Sequence, residues 1–104
     1  MHVISYKKIR EFSRVHSRAE TPLNYWYRIV KNTDFNNFAK VKELLPSADQ
    51  VGNFVVFNIG GNNYRLIAFF RYSLKRLYIR SILTHAEYDR NKWKEDLWYQ
   101  NSKK

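Results

Sequence analysis

Residues 51–72 read VGNFVVFNIGGNNYRLIAFFRY, and this stretch decides the fold. Apolar side chains recur with a period of two on either side of the sequence GGNN, which predicts strands at residues 51–59 and 64–72. Glycine and asparagine tolerate the positive φ angles that tight hairpin turns require. The stretch therefore predicts an antiparallel β-hairpin.

The pattern continues on the C-terminal side of this hairpin. A polar turn at residues 73–76 precedes a third predicted strand at residues 77–84, which extends the hairpin to a meander. Residues 86–104 are charged with scattered aromatic residues. The apolar residues there fit one short amphipathic helix that carries Trp93, Leu97 and Trp98.

On the N-terminal side the apolar period changes to about 3.6 residues. The first helix is predicted at residues 6–16. A second begins after an N-cap at Thr21, with Pro22 as its first residue. A third begins after an N-cap at Asn36 or Asn37 and ends at Pro46. Residues 2–4 predict a short edge strand. The fold class expected is α+β, with an N-terminal strand and helices packed on an antiparallel β-meander and a short C-terminal helix.

Composition narrows the class of protein further. The chain has 104 residues and no cysteine, so we expect one domain over residues 1–104, with residues 99–104 frayed, and no disulfide or thiolate metal site. The longest clean apolar run, residues 66–70, is too short to span a bilayer, and the first residues lack the apolar segment of a signal peptide. A cytosolic protein without membrane contact is expected.

The charge balance indicates a polyanionic partner. Nineteen Lys and Arg residues against nine Asp and Glu give a net charge of +10. Nucleic acid, an anionic membrane surface or an acidic protein would each fit this charge, and so would a simple role in solubility.

Strand alternation concentrates polar groups on one sheet face. With even-length loops, that face holds Asn58, Arg65, Arg71, Tyr78, Arg80, Ile82 and Thr84 between other apolar residues, while the opposite face is almost wholly apolar. Arginine binds phosphate bidentately, and neighbouring aromatic rings stack on unpaired bases, which points to single-stranded RNA. The alternative is the ordinary wet side of an antiparallel sheet.

His85 follows the third strand, and Tyr88 lies three residues further on. Beside arginines that hold a phosphate, an imidazole can deprotonate a 2′-hydroxyl or protonate a leaving oxygen. Alternatively, His85 is a capping or surface residue. His2 and His16 show no spacing typical of a zinc site, and no phosphate-binding glycine motif is present, so neither a metal nor a cofactor is expected.

Three segments resemble HigB-type toxins of bacterial toxin–antitoxin pairs, within the RelE/ParE group. They are LPSADQVGN at residues 45–53, VFNIGGNNYRL at residues 56–66 and THAEYD at residues 84–89. The resemblance implies a sheet flanked by helices and an endoribonuclease of the bacterial cytoplasm that cuts mRNA on translating ribosomes. It also implies a HigA-type helix-turn-helix antitoxin that silences the toxin in a hetero-oligomer.

The same resemblance suggests roles for individual residues. It implies catalytic roles for Arg65, Arg80, His85 and Tyr88. Alternation adds Asn58, Arg71 and Tyr78 as substrate-binding residues. The chain departs from many RelE relatives in having no lysine on the first strand of the meander, residues 53–58.

Three functions are compatible with these features. The first is a metal-independent endoribonuclease in which the RNA 2′-hydroxyl attacks the adjacent phosphate. The second is a ParE-like inhibitor of DNA gyrase without nuclease activity. The third is an RNA- or ribosome-binding module that performs no chemistry and whose affinity depends on salt.

Overall fold

The computed structural model describes residues 1–100. It contains five strands and five α-helices, joined in places by short 3-10 helices. The strands are β1 (His2–Ile4), β2 (Asp49–Val51), β3 (Phe54–Ile59), β4 (Tyr64–Arg71) and β5 (Arg76–Thr84). The helices are α1 (Lys7–Val15), α2 (Glu20–Lys31), α3 (Phe38–Leu44), α4 (His85–Asp89) and α5 (Leu97–Gln100).

All five strands form one sheet in the order β1-β5-β4-β3-β2. Strands β2 to β5 are antiparallel neighbours, and β1 pairs in parallel with the first residues of β5 at one edge. The predicted α+β class, the meander and the N-terminal edge strand are therefore confirmed.

The single strand predicted at residues 51–59 is wrong. Gly52, at a φ of 58°, and Asn53 form a tight turn, so that β2 folds back on β3 with Val51 opposite Phe54. The apolar run from Phe54 to Phe57 belongs to β3 alone and is buried on both faces of the sheet. Gly-Asn is typical of two-residue hairpin turns, and the apolar residues on both sides of it led to the prediction of one strand.

The helix boundaries differ slightly from those expected. Helix α2 begins at Glu20, one residue before Thr21, and its N-cap residue is Ala19, whose side chain makes no capping bond. Helix α3 is capped as predicted, because the Asn37 side chain accepts a hydrogen bond from the Lys40 backbone N–H. 

A β-bulge in β5 changes the predicted faces. Ala68 pairs with Ile79 but Ile67 pairs with Ser81, so Arg80 is the extra residue. Leu83 is consequently the partner of Arg65, while Ile82 packs into the core beneath the helices. The placement of Ile82 and Thr84 on the face of Arg65 was therefore wrong, since one inserted residue reverses the alternation beyond it.

The sheet is covered on both faces. Helices α1 to α3 pack on one face over a core that includes Leu23, Trp26, Phe57, Leu66 and Leu77. On the other face, the C-terminal segment forms a smaller core of Phe54, Val56, Ile67 and Trp93, edged by Tyr88, Trp98 and Tyr99. The arginine face is therefore partly covered and is not the open wet face that strand alternation allowed.

The C-terminal segment, residues 85–100, contains three short helical pieces where one amphipathic helix was expected. Trp93 is buried and Trp98 half-buried, but Leu97 is 70% exposed. Tyr99, within the range expected to fray, packs its ring 5.6 Å from that of Phe54. The rest of that expectation, at residues 101–104, lies outside the described residues. Among residues 1–100, no helix is long and apolar enough to cross a bilayer.

Candidate active site

Arg65 is the centre of the candidate site. It lies near the start of β4, opposite Asn58 of β3 and Leu83 of β5, and only 7% of its surface is exposed. One terminal nitrogen donates to the backbone carbonyls of Asn62 and Tyr64, and the other donates to the Asn62 side chain. A buried guanidinium needs such partners, because an unpaired buried charge is strongly destabilising.

The same guanidinium reaches His85. Helix α4 begins at His85 because Thr84 and Glu87 form a reciprocal capping box, and the His85 backbone N–H donates to the carbonyl of Asn63. These bonds fix the imidazole beside the β3–β4 turn. The Arg65 terminal nitrogen lies 3.1 Å from His85 Nδ1.

The two neighbours of the imidazole determine its tautomer. Arginine is only a donor, so Nδ1 accepts from Arg65, and the ring proton is assigned to Nε2. Nε2 lies 3.2 Å from the Asp89 carboxylate, one helical turn further along α4. Arg65 therefore bonds one ring nitrogen of His85, and the Asp89 carboxylate lies beside the other.

Tyr88 closes the cluster on one side. Its ring centroid lies 5.5 Å from the Arg65 guanidinium carbon, and it stacks on Trp93 at 5.2 Å with an interplanar angle of 9°. Burial and the nearby charge of Asp49 raise the pKa of Tyr88, against a smaller opposing effect of Arg65. The phenol is therefore protonated at neutral pH and can donate a hydrogen bond.

Arg80 does not contact this cluster. Its guanidinium forms a bidentate ion pair with Asp96, at 2.9 Å and 3.0 Å, and lies 3.7 Å above the ring of Trp98. Asp96 also accepts from the Trp98 backbone N–H. In this arrangement Arg80 joins the bulge of β5 to the C-terminal segment.

Arg71 and Tyr78 lie at the other end of the sheet. Arg71 is six residues from Arg65 on β4, which corresponds to about 20 Å along a strand. Tyr78 lies on β5, where it pairs with Phe69 of β4. The structure thus gathers Asn58, Arg65, His85 and Tyr88 at one end of the face, separates Arg71 and Tyr78 from them, and places Arg80 between.

Sequence reasoning missed Asn62, Asp89, Asp96 and Trp98. The spacing of four residues between His85 and Asp89 on a predicted helix would have indicated the Asp89 contact. No local pattern pairs Arg80 with Asp96, which lies 16 residues later, beyond two short helical pieces. Within residues 1–100, no three side chains of the types that ligate metals come together.

The Arg80–Asp96 ion pair should make the free energy of unfolding depend on pH in the acid range. Burial alone would raise the pKa of Asp96, but hydrogen bonds from Arg80 and from the Trp98 backbone, with the charge of Arg80, outweigh burial and lower it. A carboxyl whose pKa is lower in the folded state stabilises the protein at pH values above its unfolded pKa of about 4. That stabilisation is lost as the pH falls through the folded pKa.

We therefore expect Asp96→Asn to destabilise the protein by about 1.5–3 kcal/mol at pH 7 and by progressively less below about pH 4. Urea unfolding between pH 7 and pH 2 measures this difference. Glu95→Gln, at an exposed neighbouring carboxyl, is the control and should follow the wild type. Equal acid dependence in Asp96→Asn and wild type would contradict the assigned role of the pair.

Comparison with known proteins agrees with this architecture. A family model described as HigB_toxin, the RelE-like toxic component of a toxin–antitoxin system, matches residues 19–91. The mRNA interferase HigB of Escherichia coli O6:H1 is 33% identical over 93 residues, covering 86% of this chain and 90% of the relative. The mRNA interferase toxin HigB of E. coli K12 is 29% identical over 92 residues, covering 86% and 88%.

An α+β fold with a five-stranded sheet, matched by this family model, is that of a RelE-like toxin. The chain belongs to the HigB toxin family. Membership in a toxin–antitoxin system implies an antitoxin partner.

Proposed function

We propose that this protein is an endoribonuclease that cleaves mRNA on the translating ribosome in the bacterial cytoplasm. A HigA-type helix-turn-helix antitoxin would neutralise it in a hetero-oligomer. The observation that carries the proposal is the cluster of Arg65, His85 and Asp89, in which Arg65 bonds His85 Nδ1 and the Asp89 carboxylate lies 3.2 Å from Nε2. It joins a phosphate-binding cation to an acid–base group on a protein with a net charge of +10. The names of the relatives support the substrate class.

RNA binding would begin at Arg65. One of its terminal nitrogens donates only to side chains, those of Asn62 and His85, and both of these residues are exposed. A phosphate accepts hydrogen bonds more strongly than either side chain because it carries a full charge. The scissile phosphate would replace them, and Asn58, exposed and opposite Arg65, would contact the adjoining ribose.

Displacement of Arg65 would leave His85 Nδ1 free to act as a base while the Asp89 carboxylate stays beside Nε2. His85 would take the proton from the 2′-hydroxyl, whose oxygen attacks the phosphorus. The bond from phosphorus to the 5′-oxygen would break, and the phenol of Tyr88 would transfer its proton to that oxygen. Tyr88 would regain a proton from the protonated His85, directly or through water, which returns both groups to their starting state. Arg65 would stabilise the charge that develops on the phosphate. The products are a 2′,3′-cyclic phosphate and a 5′-hydroxyl, and no step requires a metal.

Arg80 has a supporting role in this proposal. Its ion pair with Asp96 and its contact with Trp98 hold the C-terminal segment against the sheet. That segment contains Trp93, on which Tyr88 stacks. Arg80 would therefore position Tyr88 indirectly, which differs from the direct catalytic role that the family resemblance implies.

The chemistry is tested by the ends of the cleaved mRNA. In a translation reaction the purified protein should shorten mRNA and leave 2′,3′-cyclic phosphates, and a single 2′-deoxy nucleotide at the cleavage site should block the cut. Cleavage of free RNA, where it occurs, should persist in EDTA. Ends with a 3′-hydroxyl would contradict the mechanism. Intact mRNA accompanied by DNA breaks in induced cells would support gyrase inhibition.

Asp89 provides a separate prediction. Asp89→Asn should slow mRNA cleavage about tenfold, because a neutral amide no longer stabilises the positive charge that His85 gains when it takes the proton. RNA affinity should be unchanged or slightly higher, because a negative charge is lost. Single-turnover cleavage and RNA binding separate these effects. Glu95→Gln removes an exposed carboxylate outside the cluster and is the control. A full cleavage rate in folded Asp89→Asn would remove Asp89 from the mechanism.

A further inference from the structure

A second polar and aromatic site lies at the far end of the arginine face. A surface pocket of about 460 Å³ is lined by Asn53, Phe69, Arg71, Tyr78 and Trp98. The rings of Phe69 and Tyr78 each lie 5.2 Å from that of Trp98, at steep angles to it. Pockets of this size that combine aromatic walls with a few polar groups are typical of small-ligand sites.

The aromatic wall is held rigidly. The Asn53 side-chain amide donates to the Trp98 carbonyl at 2.9 Å, and Arg80 lies 3.7 Å from the Trp98 ring. The bond anchors the Trp98 backbone, and the Arg80 guanidinium packs on the indole. A rigid ring stacks a base with little loss of side-chain entropy on binding. Within residues 1–100, one hydrogen of the Asn53 amide and its oxygen make no other hydrogen bond and can meet the edge of a base.

The charge beside this pocket is unbalanced. Arg71 and Arg76 are both exposed and are direct partners across β4 and β5. Like charges directly opposite each other destabilise a sheet. Among residues 1–100, neither arginine forms an ion pair with a carboxylate. An anion lying between the two guanidinium groups would relieve the repulsion.

We propose that this end of the sheet is a second RNA subsite, at which a nucleobase stacks in the pocket of Phe69, Tyr78 and Trp98 and its phosphate lies between Arg71 and Arg76. The inference rests on the proposed nuclease function and extends it. The subsite and the Arg65 cluster share one face, about 20 Å apart along β4. The occupant is therefore a nucleotide of the same single strand, several nucleotides from the scissile bond.

The test uses the full chain and a single-stranded RNA oligonucleotide that is 2′-O-methylated throughout, so that it resists cleavage. The oligonucleotide contains one 2-aminopurine, whose fluorescence falls when it stacks on an aromatic ring. Arg71→Gln with Arg76→Gln should weaken binding about tenfold and lower the salt slope by about 1–2. The thermal stability of this double variant should not fall, because the change removes the repulsion between the two arginines.

Tyr78→Leu should abolish most of the 2-aminopurine quenching and weaken binding about tenfold, while the salt slope stays unchanged. Arg18→Gln with Arg28→Gln removes two exposed charges from the helical side of the molecule and is the control, with less effect on affinity and none on quenching. Failure of the wild type to bind, or wild-type binding and quenching in both subsite variants, would overturn the proposal.

Cleavage of mRNA by the same preparations separates the two proposals. Wild-type cleavage with subsite variants that bind normally would overturn the subsite alone. Weakened binding in those variants, with no cleavage by the wild type, would support the subsite and overturn the nuclease.

Discussion

Arg65→Lys is expected to reduce mRNA cleavage at least a hundredfold while leaving the protein folded. Lysine keeps the positive charge but cannot donate in parallel to two phosphate oxygens while also bonding the backbone carbonyls of Asn62 and Tyr64. Arg65→Gln, which also removes the charge, should reduce cleavage about a thousandfold. Single-turnover cleavage of a defined mRNA in a translation reaction measures both rates.

Folding must be measured beside this activity, because Arg65 is buried. Arg65→Gln leaves backbone carbonyls near the β3–β4 turn with fewer donors, so some loss of stability is expected. Circular dichroism and urea unfolding show whether each variant is native. Arg28→Gln, an exposed arginine on α2, is the matched control and should retain activity. A folded Arg65→Lys protein that cleaves at the wild-type rate would overturn the central role of Arg65.

Trp93→Ala should lower the free energy of unfolding by about 3–5 kcal/mol. Trp93 is the buried anchor of the second core, where its ring packs near Phe54 and Tyr99, and its indole N–H donates to the Tyr88 carbonyl at 3.1 Å. The free energy of unfolding of a whole domain is about 5–15 kcal/mol, so this loss is a large share of the total. Urea unfolding at pH 7 measures the change.

The same substitution should impair cleavage, because Tyr88 loses the ring on which it stacks. Trp93→Phe retains an aromatic surface and should recover part of both stability and rate. Leu97→Ala is the matched control within the C-terminal segment, since Leu97 is 70% exposed and its loss should cost less than about 0.5 kcal/mol. A loss below 1 kcal/mol for Trp93→Ala would show that the segment contributes little to the fold.

Much of the site was predictable from local sequence. Alternation placed Asn58 opposite Arg65 because the β3–β4 loop has an even number of residues, as assumed. The motif at residues 84–89 brought His85 and Tyr88 to the end of β5, and their contact with Arg65 follows from the register of β4 and β5. These relationships are local, since each joins neighbouring strands or one helical turn.

Arg80 shows where local reasoning failed. Its position on the arginine face was inferred from an unbroken alternation, but a bulge inserts it as an extra residue. Its partners, Asp96 and Trp98, come from a segment whose path over the sheet has no periodic signature. The sequence therefore suggested a free catalytic cation, whereas the tertiary structure gives a cation that is already paired.

The sequence by itself determined the α+β class, the β-meander and the pairing of Asn58 with Arg65, because hydropathy period and turn residues act over a few positions. Only the tertiary structure decided that the C-terminal segment covers the arginine face and that the predicted site divides into two clusters. Those features depend on packing between residues far apart in the chain, where the burial of Trp93 and the pairing of Arg80 with Asp96 outweigh any local preference.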